Sequence, residues 1–344
     1  MEQKLGLPGS QPADFDVFPS DPPRPPRSER LESGFFRGEA GREVDFGPGA
    51  RPAVRGFGLG IDSTEEAVAE SLHGFGDPVV LDHVDTDSDG HKTRVMLHTY
   101  RESHITFLRS PALGAIPGVA HAFSTRREAG GDVTLDHTAS DARSRFLTAA
   151  GMAGWPLSGV RQVHSNTAHA VRENGFANER PEGDALFTRL GGMALGVVTA
   201  DCVPILLAHR SGRAVAAIHA GWRGTSEGVA RVTVDRMVAE AGLDPGRLAV
   251  AIGPHIGICC MEVGEEVYEW FQDPDVFERR PGWPRPHLNL GEANRKQLEA
   301  AGVPAESIEV SGLCTRCRSD LFHSYRRDGS AAGRMLSVIG IEAV

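Results

Sequence analysis

Three short apolar runs, MALGVVTA (193–200), VPILLAH (203–209) and RAVAAIHA (213–220), succeed one another with only a few residues between them. Each is bounded by Gly or polar residues, the pattern of a buried strand. A fourth run of this kind is LAVAIGP (248–254). Two helices are expected around them. TSEGVARVTVDRMVAEAG (225–242) has Thr225 or Ser226 to cap it and Gly242 to stop it, and GEANRKQLEAAG (291–302) is amphipathic and ends on Gly302. Strands and helices mix without a regular βαβ rhythm. No G-x-G-x-x-G or Walker A loop is present, which disfavours a dinucleotide-binding or P-loop fold.

The chain of 344 residues divides unevenly. Residues 1–53 are rich in Pro, Arg, Glu and Gly, and cannot bury enough apolar surface to offset the entropy of ordering; a disordered tail is expected. Residues 54–109 read as a small appended segment, either a subdomain or an edge addition. A helix is expected over 63–75 and a strand over 93–100. Residues 110–344 carry the globular signal. A net charge of -10 argues against nucleic acid as partner. No run approaches the ~20 apolar residues of a membrane span, and the N-terminus lacks a secretory h-region. Five cysteines are too few and too odd for a disulfide framework, so a cytoplasmic setting is expected.

The strand ends carry the chemistry. Cys202 follows Asp201 at the start of one apolar run, and His219 closes the next, 17 residues on, before the turn Gly221-Trp222-Arg223-Gly224. That spacing suits adjacent strands with a short connection. With His164 in RQVHS, these residues make a His/Cys/His donor set suited to zinc, with the fourth position open. Taken singly, each is more often a packed structural residue. A Cys202–His219 nucleophile–base pair is the other chemical reading, and from spacing alone the two weigh equally.

FSTRREAGG, RQVHS, GDALFT, TADCVPILL, HAGWRGT, AIGPHIG, LCTRC and FHSYRRDG occur in that order within residues 110–344. In them the chain resembles the laccase-domain family of multicopper polyphenol oxidoreductase-like proteins, which includes bacterial peptidoglycan editing factors and mammalian FAMIN. The resemblance implies an α+β fold, an αββα layered sandwich with mixed sheets like a cysteine-hydrolase toxin domain. It implies zinc on His164, Cys202 and His219, with copper the second candidate. The implied activity is purine nucleoside phosphorolysis, with adenosine deamination and methylthioadenosine phosphorolysis beside it. Purine nucleosides and phosphate would be the partners of a monomer, with neither nucleic acid nor membrane. An amidase acting on aberrant peptidoglycan precursors is the alternative. A copper polyphenol oxidase is disfavoured, because 14 histidines include no His-x-His pair.

Phosphate chemistry calls for arginine. Arg126 and Arg143, with Cys202 and Asp201, are the expected catalytic groups; Arg126, Arg223 and His255 are expected at the substrate, and Arg326 and Arg327 are further candidates. Asp201 also reads as a turn cap. Asp136, His255 and Met261 depart from the family pattern, which bears on substrate choice. Two other signals are set aside. DTDSDG (85–90) begins like a calcium loop but would end on Met96. Cys259, Cys260, Cys314 and Cys317 could offer four thiols to a structural zinc, but an adjacent pair has poor ligand spacing.

Overall fold

The computed structural model describes residues 84–86, 92–94, 97–128, 131–173, 175–176 and 180–343. The expected tail over 1–53 and helix over 63–75 lie outside these residues, as does most of the 85–90 turn. Among the described residues no helix is long and apolar enough to cross a membrane.

Two six-stranded sheets form the frame. In chain order their strands are β1 (His98–Glu102), β2 (Ile105–Arg109), β3 (Val119–Ser124), β4 (Leu157–Ser158), β5 (Ala168–Val171), β6 (Ala185–Thr188), β7 (Met193–Thr199), β8 (Val203–His209), β9 (Val215–Ala220), β10 (Leu248–Ile252), β11 (Ile308–Val310) and β12 (Met335–Ile341). The first sheet runs β11-β10-β8-β9-β6-β5 and the second β1-β2-β3-β12-β7-β4. Both are mixed: β10 and β11 pair parallel, as do β5 and β6, and β4 and β7, while the other neighbours are antiparallel. The hairpin β1–β2 is the outer edge of the second sheet, continuous with β3.

Alternation along the strands sorts the side chains into layers. Leu206, Ala208, Val215, Ala217, Ala249 and Ala251 of the first sheet meet Leu108, Phe123, Leu195, Val197 and Ile339 of the second in one cluster between the sheets. Val203, Ile205, Leu207, Ile218 and Val250 turn the other way, onto helices α3 (Val229–Ala241) and α4 (Leu290–Ala300) through Val234, Met237, Leu290 and Leu298. On the far side, α1 (Ser140–Ala149) sets Phe146 and Leu147 against Phe107, Leu336 and Val338 of the second sheet. Strands buried on both faces need continuous apolar runs, as the sequence has.

The helix expected over 225–242 divides in two. Trp222–Ser226 forms its own short helix, α2, and Gly228 turns left-handed (φ 82°) before α3 begins at Val229. Gly242 stops α3, also left-handed, as its position predicts. Asn289 caps α4 by accepting from the Glu292 N–H at 3.0 Å. Leu206 is fully buried at the centre of the inter-sheet cluster. Leu206→Ala is expected to lower stability by about 2–5 kcal/mol, read as a lower urea midpoint at unchanged slope.

Candidate metal and active site

Cys202 stands immediately before β8 and His219 near the end of β9, with His219 directly opposite Pro204 in the register. Their short connection therefore brings the two to one end of adjacent antiparallel strands. His164 arrives from the loop before β5, held in the left-handed region at φ 62°. The ligand atoms of His164, Cys202 and His219 all lie within 4.8 Å of one another. His164 Nε2 is 3.8 Å from Cys202 Sγ, and the two imidazoles cross at 76° with centroids 5.0 Å apart. His219 is buried, whereas His164 and Cys202 are half-buried, so the donor set opens on one side.

A fourth residue builds this arrangement. Asp184, fully buried just before β6, accepts from the backbone N–H groups of Val163 (3.3 Å), His164 (3.0 Å) and Ser165 (2.6 Å) and from the Ser165 hydroxyl (2.8 Å). It also accepts from His219 Nδ1 at 2.8 Å, while the His219 N–H donates to its carbonyl at 2.7 Å. The ring proton is thus fixed on Nδ1 and Nε2 is left to face Cys202 and His164, the usual support of a metal-binding histidine. Sequence reasoning passed over Asp184, although it lies in the GDALFT segment.

Gly221 is required here for space. A Cβ at this position would stand 2.5 Å from His164 Cδ2 and 3.3 Å from Cys202 Sγ. The turn that follows is anchored from α4, where Asn294 Nδ2 donates to Thr225 Oγ1 at 3.0 Å and Gln297 Nε2 to the Thr225 carbonyl at 2.6 Å.

The electrostatics follow from the contacts. Burial alone would raise the Cys202 thiol, but the His219 and His164 imidazoles outweigh it and hold the pKa at about 6, against an ordinary 9.0. Burial would lower His219, but Cys202 and Asp184 hold it up at about 10. Burial would likewise raise Asp184, yet its bonds from His219 and Ser165 keep it below the ordinary carboxylate value. Without metal the site is a thiolate–imidazolium pair over a buried carboxylate. Imidazole and thiolate both suit zinc, and three such donors converging on one point fit an ion with an open fourth position.

The other expected site residues have different partners. Asp201, in a left-handed turn at φ 91°, accepts from Thr315 Oγ1 (2.6 Å), Ser324 Oγ (3.1 Å) and the Arg326 N–H (2.6 Å). Its carbonyl takes the Ile256 N–H at 2.9 Å. It ties loops together around Cys202. Arg126 is ion-paired with Asp132 and donates to the Ser319 carbonyl. Arg143 lies on α1, lowered in pKa first by burial and then by Arg180, with Asp136 opposing. Arg223 stacks over Trp222 at 4.4 Å. Arg326 donates to the Cys260 and Glu262 carbonyls, and Arg327 pairs with Asp328. His255 is buried and its Nδ1 donates to the Gly253 carbonyl at 2.8 Å. Asp136 is turned onto Thr138 and Thr134, and Met261 is buried beside Arg326.

Asp184→Asn removes the negative charge and puts an NH2 donor in place of one of the two oxygens that accept from His219 and the His164 loop, and is expected to weaken metal affinity about 10–100-fold in competition with a chromogenic chelator. The depressed thiol gives a second test. In metal-free protein, alkylation of Cys202 should rise with pH through about 6, well below the ordinary 9.0. Unfolding should move the curve up to the ordinary range.

Residues 125–342 match the family described as multi-copper polyphenol oxidoreductase laccase. A protein of Bacteroides thetaiotaomicron named purine nucleoside phosphorylase is 45% identical over 46% of this chain and 60% of its own length. One of the same name from Deinococcus radiodurans is 40% identical over 69% of this chain and 93% of its own. A protein named adenosine deaminase RL5, from an unknown prokaryotic organism, is 41% identical over 52% of this chain and 72% of its own. Among solved structures, YlmD of Geobacillus stearothermophilus aligns with a TM-score of 0.63 at 32% identity, over 71% of this chain and 99% of that one. Family match, relatives and fold agree: this chain belongs to the multi-copper polyphenol oxidoreductase laccase family.

Proposed function

We propose that the protein is a zinc-dependent purine nucleoside phosphorylase whose site is His164, Cys202 and His219. The convergence of two imidazoles and one thiol within 4.8 Å carries the reading, because three donors leave the fourth position for a reactant. Zinc held there supplies Lewis acidity. The chain's own part is to hold the donors. Asp184 keeps the His219 proton on Nδ1, the Asp184 acceptors fix the loop of His164, and Asp201 fixes the turn into Cys202. The solvent-open side of His164 and Cys202 gives the nucleoside its approach. Relatives named purine nucleoside phosphorylase and adenosine deaminase support purine nucleosides as substrates, with phosphate the acceptor in the first reaction and water in the second.

One observation favours a second reading. Cys202, His219 and Asp184 also form a thiolate, imidazolium and carboxylate series, the arrangement of a cysteine nucleophile with an oriented base. This is the geometry an amidase would use. Purified protein incubated with inosine and with adenosine, with and without phosphate, separates the two. Phosphate-dependent release of hypoxanthine that falls to the blank in Cys202→Ala, and that chelation abolishes, is the expected outcome. Chelation that leaves turnover intact would favour the nucleophile, and no nucleoside turnover at all would remove the phosphorylase.

A further inference from the structure

The four remaining cysteines, set aside in the sequence for their spacing, are brought together by the fold. Cys259 and Cys260 lie on the turn after β10, and Cys314 and Cys317 on the turn after β11. Those two strands are parallel neighbours, so the turns that leave them emerge side by side. The four sulfurs all lie within 4.8 Å of one another. Cys259 Sγ is 3.7 Å from Cys260 Sγ and 3.7 Å from Cys317 Sγ, and Cys260 Sγ is 3.4 Å from Cys317 Sγ.

We propose that Cys259, Cys260, Cys314 and Cys317 bind a second, structural zinc ion, separate from the His164–Cys202–His219 site. Four thiolates at about 2.3 Å from one ion stand about 3.8 Å apart at tetrahedral angles, close to the separations here. A disulfide would need about 2.05 Å for one pair and has no use for three nearly equal edges. The adjacent pair, unpromising as linear spacing, is served by the turn: the Cys260 and Met261 N–H groups both donate to the Gly257 carbonyl, at 2.9 and 3.0 Å. That curl swings both sulfurs toward Cys317.

The surroundings fit bound thiolates. The Gly257 N–H points at Cys314 Sγ from 3.2 Å, and Arg316 Nη1 at Cys260 Sγ from 3.4 Å. Four thiolates around a divalent ion carry two surplus negative charges. A guanidinium and an amide donor offset these, as outer partners of metal sulfurs do. Loading exchanges one divalent cation for the thiol protons, with no change of oxidation state. Cys259 and Cys317 are exposed and Cys260 and Cys314 buried, which gives the ion an entry and a closed back.

The ion would act as a staple. Thiols are soft, four donors close the coordination shell, and such closed sites stabilise a fold rather than react. The stapled turns are those that Asp201 also grips, through Ile256, next to Gly257, and Thr315, next to Cys314. Arg326 reaches the Cys260 carbonyl at 3.2 Å. The staple would thus stiffen the wall from which Cys202 is presented.

The test counts zinc per chain by elemental analysis on full-length protein purified with a reductant. Cys202→Ala removes the first site from the count, so the outcome does not depend on the proposed activity. This variant is expected to keep one zinc per chain, and Cys202→Ala/Cys317→Ser to keep none. A Cys202→Ala protein with no metal would overturn the proposal. Should the double variant fail to fold, alkylation of the native Cys202→Ala protein followed by peptide mass spectrometry decides. All four cysteines should resist until a chelator is added. Immediate labelling of Cys259 and Cys317, or a disulfide joining any two of the four, would equally overturn it.

Discussion

A carboxylate withdrawn from water must be met by donors on nearly every lone pair, or the fold carries an uncompensated charge. Asp184 is met by five: three successive backbone N–H groups, one hydroxyl and one imidazole. The consequence reaches past its own stability. The three amides belong to the loop of His164 and the imidazole is His219, so satisfying one buried charge fixes two of the three proposed metal donors in place. The left-handed backbone of His164 is an unusual conformation for a residue with a Cβ, and it persists because these bonds over-determine it.

Asp201 does the corresponding task on the other side. It takes a left-handed turn directly before Cys202, and its carboxylate binds two hydroxyls and an amide from the segment 315–326. Its role is that of a tie, and the sheets explain why a tie is needed here. Strands β8 and β9 are buried on both faces and cannot shift without opening a core. The loops leaving β10 and β11 have little regular backbone pairing, apart from isolated bridges between His255 and Cys314 and between Glu262 and His287. Rigid strand ends and irregular loops must meet at one place to make a site, and Asp201 is where they meet.

Strands β7 to β10, their burial and the triad of donors are legible in the sequence, because apolar periodicity and residue type at a strand end are local signals, whereas the single strand expected over 93–100 divides into Lys92–Arg94 and β1. His164 and His219 carry a chemistry that spacing can propose. Asp184 is not legible in that way. Its value lies in contacts with residues about twenty and thirty-five positions away, across a parallel and an antiparallel pairing that linear spacing does not encode. Helix α3 starts later than its polar cap suggests because the turn after His219 spends Thr225 on Asn294 and Gln297 instead. The cysteine cluster was hidden by a rule about spacing along one segment. Half of its members come from another strand of the sheet, and the turn geometry at Gly257 cancels the drawback of adjacency.

One arrangement of Cys202, His219 and Asp184 suits two chemistries, and His164 is what distinguishes them. A cysteine nucleophile needs a single imidazole to take its proton, and that imidazole needs an acid to orient it; His219 and Asp184 suffice. A second imidazole with its Nε2 3.8 Å from the sulfur is not needed to take that proton. The molecule nonetheless keeps it at some expense, in a strained backbone, beneath a glycine that cannot bear a Cβ, over amides committed to a buried carboxylate. Those costs have a physical reason if His164 is a donor to an ion shared with Cys202 and His219. The residue that a catalytic triad does not need is the one that a metal site on His164, Cys202 and His219, as proposed, would require.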